Sequence, residues 1–414
     1  MRAVGLIVEY NPFHNGHLYH LRQSAKITGA EAVVAVMSGH FLQRGEPAMW
    51  DKWTRTRMAL AGGCDLVIEL PSAYATQAAE WFAYGAVALL EATGVVDAFC
   101  FGTESGEFGP LSRAAEIAAE EPARFRELLK GQLDDGESYP AAYSAAVQSY
   151  LQEQGFEEDA RFPFDKPNHT LGLHYLIALK RMNGSMTPHT IAREKAQYHQ
   201  TDVTDGSIAS ATAIRKLLLE SGSLAEAQNY VPPSTYGILT ERVASGIPPM
   251  DWERYADSLF RTLLTSDAAR LAEHREITEG LEHRMLNALP ELADWSVEGL
   301  LSSLKTKRYT RTKLQRALLS LLLGHRKEDF TRERLSAGVE YIRVLGFTGK
   351  GRELLKRMRK EASLPVLMSA ARPPGAFRYL DLDVRASNAY MLGVPGVDLG
   401  KALFRDYRDA PIML

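Results

Sequence analysis

Short apolar runs alternate with helical patterns along the first hundred residues of the chain. Four runs are rich in aliphatic and β-branched residues, as is typical of buried parallel strands, and they occupy residues 4–8, 32–37, 66–70 and 95–101. Segments with apolar residues at helical spacing follow the first three runs, near residues 18–25, 52–61 and 82–92. This alternation predicts an α/β fold with a doubly wound parallel sheet.

The remaining chain predicts an insertion, a return to the sheet and a helical second half. Residues 110–160 are polar and mostly helical in pattern, and residues 187–193 indicate one more strand. The pair Pro232-Pro233 marks a boundary, after which helical periodicity dominates up to a mixed tail with a final helix. We therefore expect a catalytic α/β domain over 1–230, with the insertion at 110–160, and a mainly helical domain over 231–414.

Polar segments follow the ends of several predicted strands, at residues 10–17, 38–47, 71–72 and 102–106. Ligands of open α/β sheets bind in the crevice outside the carboxyl ends of the strands. We expect all four segments to face one such crevice.

Composition limits the classes of protein that the chain can belong to. The 414 residues are 45% hydrophobic and 24% charged, which predicts two or three globular domains. A net charge of −3 confines any nucleic-acid surface to a local concentration of cations. There is no signal peptide and no run long enough to span a bilayer, and Cys64 and Cys100 lie in or beside apolar runs. These features predict buried free thiols, no membrane partner and a reducing cytoplasm.

The turn after the first strand carries the most specific chemistry of the chain. Asn11-Pro12 ends the strand, Asn15-Gly16 allows a tight turn, and His17 falls in the first turn of the following helix. Free backbone N–H groups and the helix dipole attract phosphate at such a place, and His14 and His17 can both act as donors. This cluster predicts a nucleotide triphosphate site.

Two other interpretations of the histidines were weighed. They could belong to an ordinary solvated turn between strand and helix. They could also bind zinc, but the chain has two cysteines and no adjacent H-E-x-x-H or carboxylate pattern, so no metal site is predicted.

The segment His14-Asn-Gly-His17, together with the Ser/Thr-rich segment 207–215, resembles the paired motifs of the nucleotidyltransferase superfamily, which includes class I aminoacyl-tRNA synthetases. Further motifs at 9–17, 37–47 and 307–310, with Pro167-Asn168, resemble the tRNA(Met) cytidine acetate ligase family over essentially the full length. This resemblance implies a ligase that makes N4-acetylcytidine at the wobble position of elongator tRNA(Met), using ATP and acetate and releasing AMP and diphosphate.

The resemblance also implies site residues. His14 and His17 would be catalytic, and ATP would be bound by Ile7, Val8, Glu9, Tyr10, Asn11, Pro12, Phe13, His14, Asn15, Gly16, His17, Leu18, Tyr19, His20, Gly102, Asn168, Arg193, Ser207, Ser210 and Thr212. Mg²⁺ is expected as the counter-ion of ATP. His40 and His169 depart from the family pattern, and both lie next to the proposed site rather than in the triphosphate loop.

The chemistry needs an activated acetate, because cytosine N4 is a poor nucleophile and acetate has a poor leaving group. Acetate would attack the α-phosphorus of ATP to give acetyl-adenylate, and N4 would then attack the acetyl carbon. Such a reaction needs positioning and charge stabilisation, which His14, His17 and Arg193 would supply, with hydroxyl donors from Ser210 and Thr212.

The RNA surface is expected where cations are concentrated without neighbouring acids in sequence. One cluster contains Lys305, Lys307, Arg308, Arg311, Lys313 and Arg316, with Tyr309 available to stack on a base. A second contains Lys350, Arg352, Lys356, Arg357, Arg359 and Lys360. Both could equally be solvated helix faces.

Several alternatives remain open from the sequence. The loop 43–47 could place Arg44 on acetate or RNA or could be a solvated turn, and the same holds for Asp51 and Lys52. The protein could instead be a small-molecule adenylyltransferase of the pantothenate-ligase type, or a non-catalytic tRNA-binding regulator. The sequence does not identify the acetate pocket, the ligands of the divalent ion, the oligomeric state or the other tRNA bases that are recognised.

Overall fold

The computed structural model describes residues 1–193 and 209–414. Its strands in these ranges are β1 (Ala3–Val8), β2 (Ala32–Ser38), β3 (Leu66–Leu70), β4 (Ala98–Thr103), β5 (Thr187–Ala192), β6 (Ile342–Phe347), β7 (Val366–Leu367) and β8 (Ile412–Met413). The helices of the first half are α1 (Asn15–Thr28), α2 (Lys52–Ala61), α3 (Ser72–Ala75), α4 (Ala79–Ala92), α5 (Gly109–Glu120), α6 (Ala123–Asp134), α7 (Tyr139–Glu153), α8 (Glu157–Ala160), α9 (Pro167–Arg181) and α10 (Ala211–Ser221).

The second half is mostly helical. Its helices are α11 (Pro233–Ala244), α12 (Ala256–Leu264), α13 (Ala268–Ala272), α14 (Leu281–Ala288), α15 (Val297–Leu304), α16 (Arg311–Leu323), α17 (Arg332–Ser336), α18 (Gly349–Glu361), α19 (Leu380–Leu392), α20 (Leu399–Ala402) and α21 (Arg405–Arg408). Short 3₁₀ helices lie at Leu224–Ala227, Trp252–Tyr255, Leu289–Glu291 and Lys327–Phe330.

One sheet, with the strand order β5-β4-β1-β2-β3-β6-β7, connects the molecule, and β8 pairs with β6. All pairs from β5 to β3 are parallel, and β6 runs antiparallel to β3. The predicted α/β class and mostly parallel sheet are confirmed. After β3 the chain returns to place β4 on the other side of β1, so the strand order reverses between β1 and β4. Such a switch point opens a crevice at the carboxyl ends of the two strands.

The predicted strands lie where the apolar runs are, with one displacement. The run at 95–101 becomes a strand only from Ala98, because the side chain of Asp97 accepts a hydrogen bond from the Ala3 N–H at 2.8 Å and marks the start of pairing with β1. Val95 and Val96 are buried all the same. The apolar character of Val95 and Val96 therefore indicated burial rather than membership of the sheet.

The second half of the chain is physically joined to the first. Strand β6 covers the edge of β3, which would otherwise expose unpaired backbone groups, and the main apolar core contains residues from both halves, from Ala3 to Leu382. Residues 109–160 form helices α5 to α8, as the pattern predicted, and α5 packs against α9. A functional division near residue 230 stays a prediction.

Cys64 and Cys100 are buried free thiols, as expected. No helix within the described ranges is long and apolar enough to cross a membrane.

Candidate active site

A cavity of about 240 Å³ lies at the carboxyl ends of β1, β4 and β5, at the switch point of the sheet. Predicted ATP residues that line it are Ile7, Val8, Glu9, Tyr10, Asn11, His14, Gly16, His17, Tyr19, His20, Gly102, Asn168, Arg193, Ser210 and Thr212. The structure therefore brings together residues that lie as far apart in sequence as Ile7 and Thr212.

The two histidines build the start of helix α1. His14 is the N-cap residue, and its Nδ1 accepts a hydrogen bond from the Gly16 N–H at 3.0 Å. His17 returns the contact, because its Nδ1 accepts from the His14 N–H at 3.3 Å. The rings lie 3.7 Å apart between centroids and are inclined by 31°. This reciprocal cap is the same device as a Ser/Glu capping box, made here from two imidazoles.

The cap determines which nitrogen of His14 carries the proton. An Nδ1 that accepts a backbone N–H carries no proton, so a neutral His14 carries its proton on Nε2. That Nε2 is buried and has no hydrogen-bond partner among the described residues. Burial, with the charges of Arg193 and Arg215, lowers the pKa of His14 to about 3, so the ring is neutral near pH 7. His14 is therefore a neutral donor waiting for an acceptor.

His17 and His20 share this environment. Burial lowers the pKa of His17 well below its usual range, and nearby His14 and Arg193 act in the same direction. Burial and Arg193 lower the pKa of His20 to about 4. The cations at the cavity are therefore arginines, and the imidazoles are neutral. A bound polyanion would raise the pKa of these histidines.

Arg193 is held at the end of β5 by Asn168. Its Nη1 donates to the Asn168 Oδ1 at 3.1 Å, and Asn168 in turn donates from N and Nδ2 to the Glu104 carboxylate at 3.0 and 2.9 Å. Gly102 lies beside this arrangement: a Cβ there would be 3.4 Å from the Arg193 side chain and 3.9 Å from His20. The bare backbone at Gly102 keeps this wall of the cavity flat.

Helix α10 supplies the opposite wall. Ser210 is its N-cap, with Oγ accepting from the Ala213 N–H at 3.0 Å, and Thr212 contacts Arg215 at 3.3 Å. Arg215 also donates to the Asn11 carbonyl at 3.1 Å, which ties α10 to the turn after β1. Ser207, predicted to contact ATP, lies outside the described residues.

Four residues of the predicted ATP segment do not line the cavity: Pro12, Phe13, Asn15 and Leu18. Phe13 is fully buried and its ring fills the space beside Gly62, where a Cβ would be 2.5 Å from the ring. The Asn15 N–H and side chain instead donate to the Tyr230 and Asn229 carbonyls. These residues support the turn through contacts with the protein and do not line the cavity. A contiguous sequence motif does not distinguish residues of this kind from residues that contact a ligand.

Sequence reasoning did not include several residues of the cavity wall. Phe82, Phe101, Leu171 and Tyr175 form an apolar part of this wall. Phe101 precedes Gly102 at a strand end, so it could have been included on position alone. Phe82, Leu171 and Tyr175 could not have been included, because the packing of α4 and α9 decides which of their side chains line the cavity.

The loop 43–47 contributes to the cavity wall, and a role of Arg44 toward acetate or RNA stays a prediction. Gln43, Arg44 and Glu46 line the cavity, and the Gln43 N–H donates to the Glu9 carboxylate at 2.8 Å. Burial raises the pKa of Glu9. The loop is therefore not simply a solvated turn.

Asp51 and Lys52 are neither solvated nor part of the cavity. Asp51 caps α2 and pairs with Arg242 at 2.8 Å, and Lys52 is fully buried between Glu69 at 2.7 Å and Asp406 at 2.6 Å. Both act in the structural join between the halves of the chain. Sequence distance conceals this, since Asp406 is 354 residues from Lys52.

The two departures from the family pattern are both buried. His40 packs its ring on Trp53 and Tyr390. His169 lies against the Ser105 N–H and hydroxyl at 3.3 Å and the Pro163 carbonyl at 2.9 Å. Neither lines the cavity, so both shape its surroundings indirectly.

The expectation that the first cationic cluster lacks matching acids is wrong. Lys307 pairs with Glu137, Arg308 and Lys313 with Glu279, Arg311 with Glu298 and Arg316 with Glu276, at 2.5 to 3.2 Å. The acids come from other helices and turns, which folding brings alongside. The same expectation is wrong for the second cluster, where Lys356 pairs with Glu353 and Arg357 with Glu361, at 2.7 and 2.9 Å. Water screens the exposed pairs of Lys307, Arg308 and Arg311, so phosphates can displace their glutamates.

Tyr309 does not offer a free ring to RNA. Its side chain is only 8% exposed, belongs to the helical core, and donates from its hydroxyl to the Glu279 carbonyl at 2.5 Å. The prediction of an exposed stacking ring at this position is therefore wrong.

The first cationic cluster lies near the carboxyl ends of the strands, and the second lies near their amino ends. The first borders the cavity, because Gln315 donates to Glu46 at 3.1 Å and Arg316 backs onto Gly45. The second lies on α18 near the amino ends of the strands, where Lys350 donates to the Glu31 carbonyl and Arg357 to that of Met1. Of the two clusters, the first is therefore the one whose helix contacts the loop that lines the cavity.

The described residues contain no group of three or more His, Cys, Asp or Glu side chains that could hold a metal ion.

Comparison with known proteins places this geometry in context. Residues 1–400 match the model of the HIGH nucleotidyl transferase family. The tRNA(Met) cytidine acetate ligase of Acetivibrio thermocellus is 40% identical over 405 residues, with 95% of both chains covered. That of Halalkalibacterium halodurans is 40% identical over 418 residues, covering 100% of this chain and 98% of the relative.

Solved structures agree over the full length. The crystal structure of apo Thermotoga maritima TmcAL matches with a TM-score of 0.92 at 35% identity, covering both chains completely. The same protein bound with alpha-thio ATP matches with a TM-score of 0.91.

Proposed function

Because this chain belongs to the tRNA(Met) cytidine acetate ligases of the HIGH nucleotidyl transferase family, we propose that it acetylates N4 of the wobble cytidine of elongator tRNA(Met) through an acetyl-adenylate. The chain is a ligase that uses ATP. The observation that carries the proposed mechanism is the paired cap of His14 and His17, which leaves a buried Nε2 of His14 without a partner among the described residues, on a side chain that lines the cavity at the switch point of the sheet.

In the first step, a carboxylate oxygen of acetate bonds to the α-phosphorus of ATP. The bond between that phosphorus and the oxygen bridging to the β-phosphorus breaks, and diphosphate leaves. Negative charge grows on the bridging and terminal oxygens, where neutral donors from His14 and His17 and the guanidinium of Arg193 stabilise it. Mg²⁺, if it accompanies ATP, would be held by phosphate oxygens as part of the substrate.

In the second step, the N4 lone pair of cytidine attacks the carbonyl carbon of acetyl-adenylate. The bond between this carbon and the phosphate oxygen breaks, AMP leaves, and N4 loses one proton. The carboxylates of Glu9 and Glu46 line the same cavity and can accept this proton. The raised pKa of Glu9 makes its carboxylate the more basic when ionised.

The first cationic cluster supports delivery of RNA to this site. Its helix α16 contacts the loop 43–47, which lines the cavity. We propose that phosphates of the anticodon arm replace the glutamate partners of Lys307, Arg308 and Arg311, while the target base enters the cavity.

Exchange of diphosphate into ATP that depends on acetate, followed by incubation with elongator tRNA(Met), tests the proposal. Exchange and N4-acetylation together are expected. Exchange without acetylation of RNA would favour a small-molecule adenylyltransferase, and RNA binding without exchange would favour a non-catalytic regulator.

A further inference from the structure

A second cavity, of about 260 Å³, lies between α4, α9 and α17 and takes no part in the mechanism above. Six of its lining residues carry aromatic or ionisable side chains: Glu80, Trp81, Tyr84, His174, Arg181 and Arg332. We propose that this cavity takes an unstacked base of the RNA substrate, a neighbour of the target cytidine. The inference rests on the proposed function.

The charges of this cavity suit a base better than a phosphate. Arg181 donates to Glu80 at 3.1 Å and to Glu121 at 2.6 Å, and Arg332 lies 3.7 and 3.9 Å from the same two carboxylates. Two guanidinium groups thus face two carboxylates and leave no net charge. A phosphate would meet repulsion from the acids, whereas a neutral ring with donors and acceptors meets both kinds of partner.

The aromatic side chains supply stacking surfaces. The Arg332 guanidinium lies 6.0 Å from the centre of the Trp81 ring, and Arg332 is 68% exposed, so it can move to admit a planar ligand. Tyr84 packs edge-on against Trp81 at 5.6 Å. Tyr139 is 44% exposed and packs on Tyr143 at 5.8 Å, and the Tyr143 ring lies 5.2 Å from that of His174, which lines the cavity. Unstacked bases bind between aromatic rings and arginine planes in this manner.

The two cavities share their walls. On α4, Trp81 lines the second cavity and its neighbour Phe82 lines the first. On α9, His174 lines the second cavity and Tyr175 lines the first. Since consecutive Cα atoms are about 3.8 Å apart, the cavities lie on adjacent faces of the packed helices α4 and α9. One RNA loop can therefore present two bases, one to each cavity.

The first cationic cluster connects to the rim of this cavity as well. Lys307 pairs with Glu137 at 3.1 Å, and Glu137 lies two residues before Tyr139. The same cluster contacts the loop 43–47 through Gln315. An RNA backbone that follows these cations passes both openings.

The test uses the full-length protein and an anticodon stem-loop of elongator tRNA(Met), with abasic residues placed singly at loop positions other than the target. Trp81→Ala should raise the KM for the stem-loop on the order of tenfold, with the acetate-dependent exchange rate unchanged. At one loop position, an abasic residue should raise the KM of the wild type by a similar factor. The same abasic residue should not raise the KM of Trp81→Ala any further. Trp81→Phe should retain most of the affinity.

Arg332→Gln should weaken binding in the same direction, and its exposed position ensures that it folds. Phe156→Ala is the matched control, since it removes another ring that carries an arginine, Arg113, at 4.3 Å, on the helical insertion. It should leave the KM unchanged.

An unchanged KM for the stem-loop in Trp81→Ala and Arg332→Gln would overturn the inference. So would an abasic residue that raises the KM of the wild type and of Trp81→Ala by the same factor. A change in the KM for ATP or acetate would overturn it as well, because the cavity would then serve a small molecule. Stem-loop binding by fluorescence anisotropy needs no chemistry. A loss of binding in Trp81→Ala without acetylation by the wild type would thus refute the proposed reaction and leave the base site standing.

Discussion

The Nδ1 of His14 accepts the Gly16 N–H at 3.0 Å, and this bond leaves Nε2 of the same ring as the protonated nitrogen, buried and without a partner among the described residues. One side chain thus caps α1 and contributes to the candidate active site. Helix start and ligand site coincide because an unpaired N–H group attracts an anion as readily as it attracts a cap.

His14→Asn separates these two roles. Asn is a good N-cap, so the melting temperature should stay near that of the wild type, while the loss of the Nε2 donor should lower the acetate-dependent exchange rate about a hundredfold. Stopped exchange assays and thermal melts check both numbers. His283→Asn, at a ring that is 70% exposed, is the control. Exchange at the wild-type rate in His14→Asn would remove His14 from the mechanism.

Gly102→Ala should raise the KM for ATP with little effect on folding. The added Cβ would be 3.4 Å from Arg193, an ordinary contact, but it would project from the flat wall where the nucleotide is proposed to lie. Gly131→Ala, with open space around its Cβ, is the control and should stabilise α6 by about 0.5–1 kcal/mol. The exchange rate measured over a range of ATP concentrations gives the KM of each variant. A KM for ATP in Gly102→Ala equal to that of Gly131→Ala would contradict the proposed position of ATP.

Neutralising Lys307, Arg308 and Arg311 to Gln should weaken tRNA binding and reduce its salt dependence. Each phosphate contact that is lost lowers the slope of log K against log salt by about 0.7–0.9. The matched control neutralises Lys356, Arg359 and Lys360 of α18, near the amino ends of the strands, and should change neither quantity. Binding measured over a range of salt concentrations decides, and a larger loss in the control would place the RNA on α18.

Acid should destabilise the fold through its buried histidines. Burial and Arg181 lower the pKa of His174 to about 4, whereas the unfolded chain has the ordinary value near 6.5. The unfolded state therefore binds the proton first, and about 3 kcal/mol of stability, present above pH 6.5, is lost as the pH falls to 4. Urea unfolding of His174→Gln should show a flatter pH dependence, with His283→Gln as control. A slope identical to wild type would show that His174 does not contribute.

Local patterns predicted the features of this protein that depend on local physics. The β2 and β3 runs, the helical insertion and the position of His17 in the first turn of α1 all follow from spacing and turn residues. The strand-end rule correctly brought Glu9, Gly102 and the loop 43–47 to one crevice, since the carboxyl ends of parallel strands lie together. It was wrong for the segment 71–72, which does not line the cavity, because the Ser72 N–H donates to the Asp383 carboxylate at 2.7 Å.

Features that depend on long-range pairing were not predictable in this way. The glutamate partners of the cationic cluster lie up to 170 residues away, as in Lys307 and Glu137, so the cluster looked unmatched. Phe13 and Tyr309 sit within motifs but face the core, because a motif records which residues occur and not where they point.

Acetylation with acetate labelled with ¹⁸O in both oxygens follows the acetate oxygens into the products. If acetate attacks the α-phosphorus and N4 later breaks the bond between the carbonyl carbon and oxygen, one labelled oxygen must remain on AMP for each acetylated cytidine. Mass spectrometry of the AMP phosphate is therefore expected to show one ¹⁸O per turnover. Label in orthophosphate, or unlabelled AMP beside acetylated tRNA, would contradict the acetyl-adenylate mechanism.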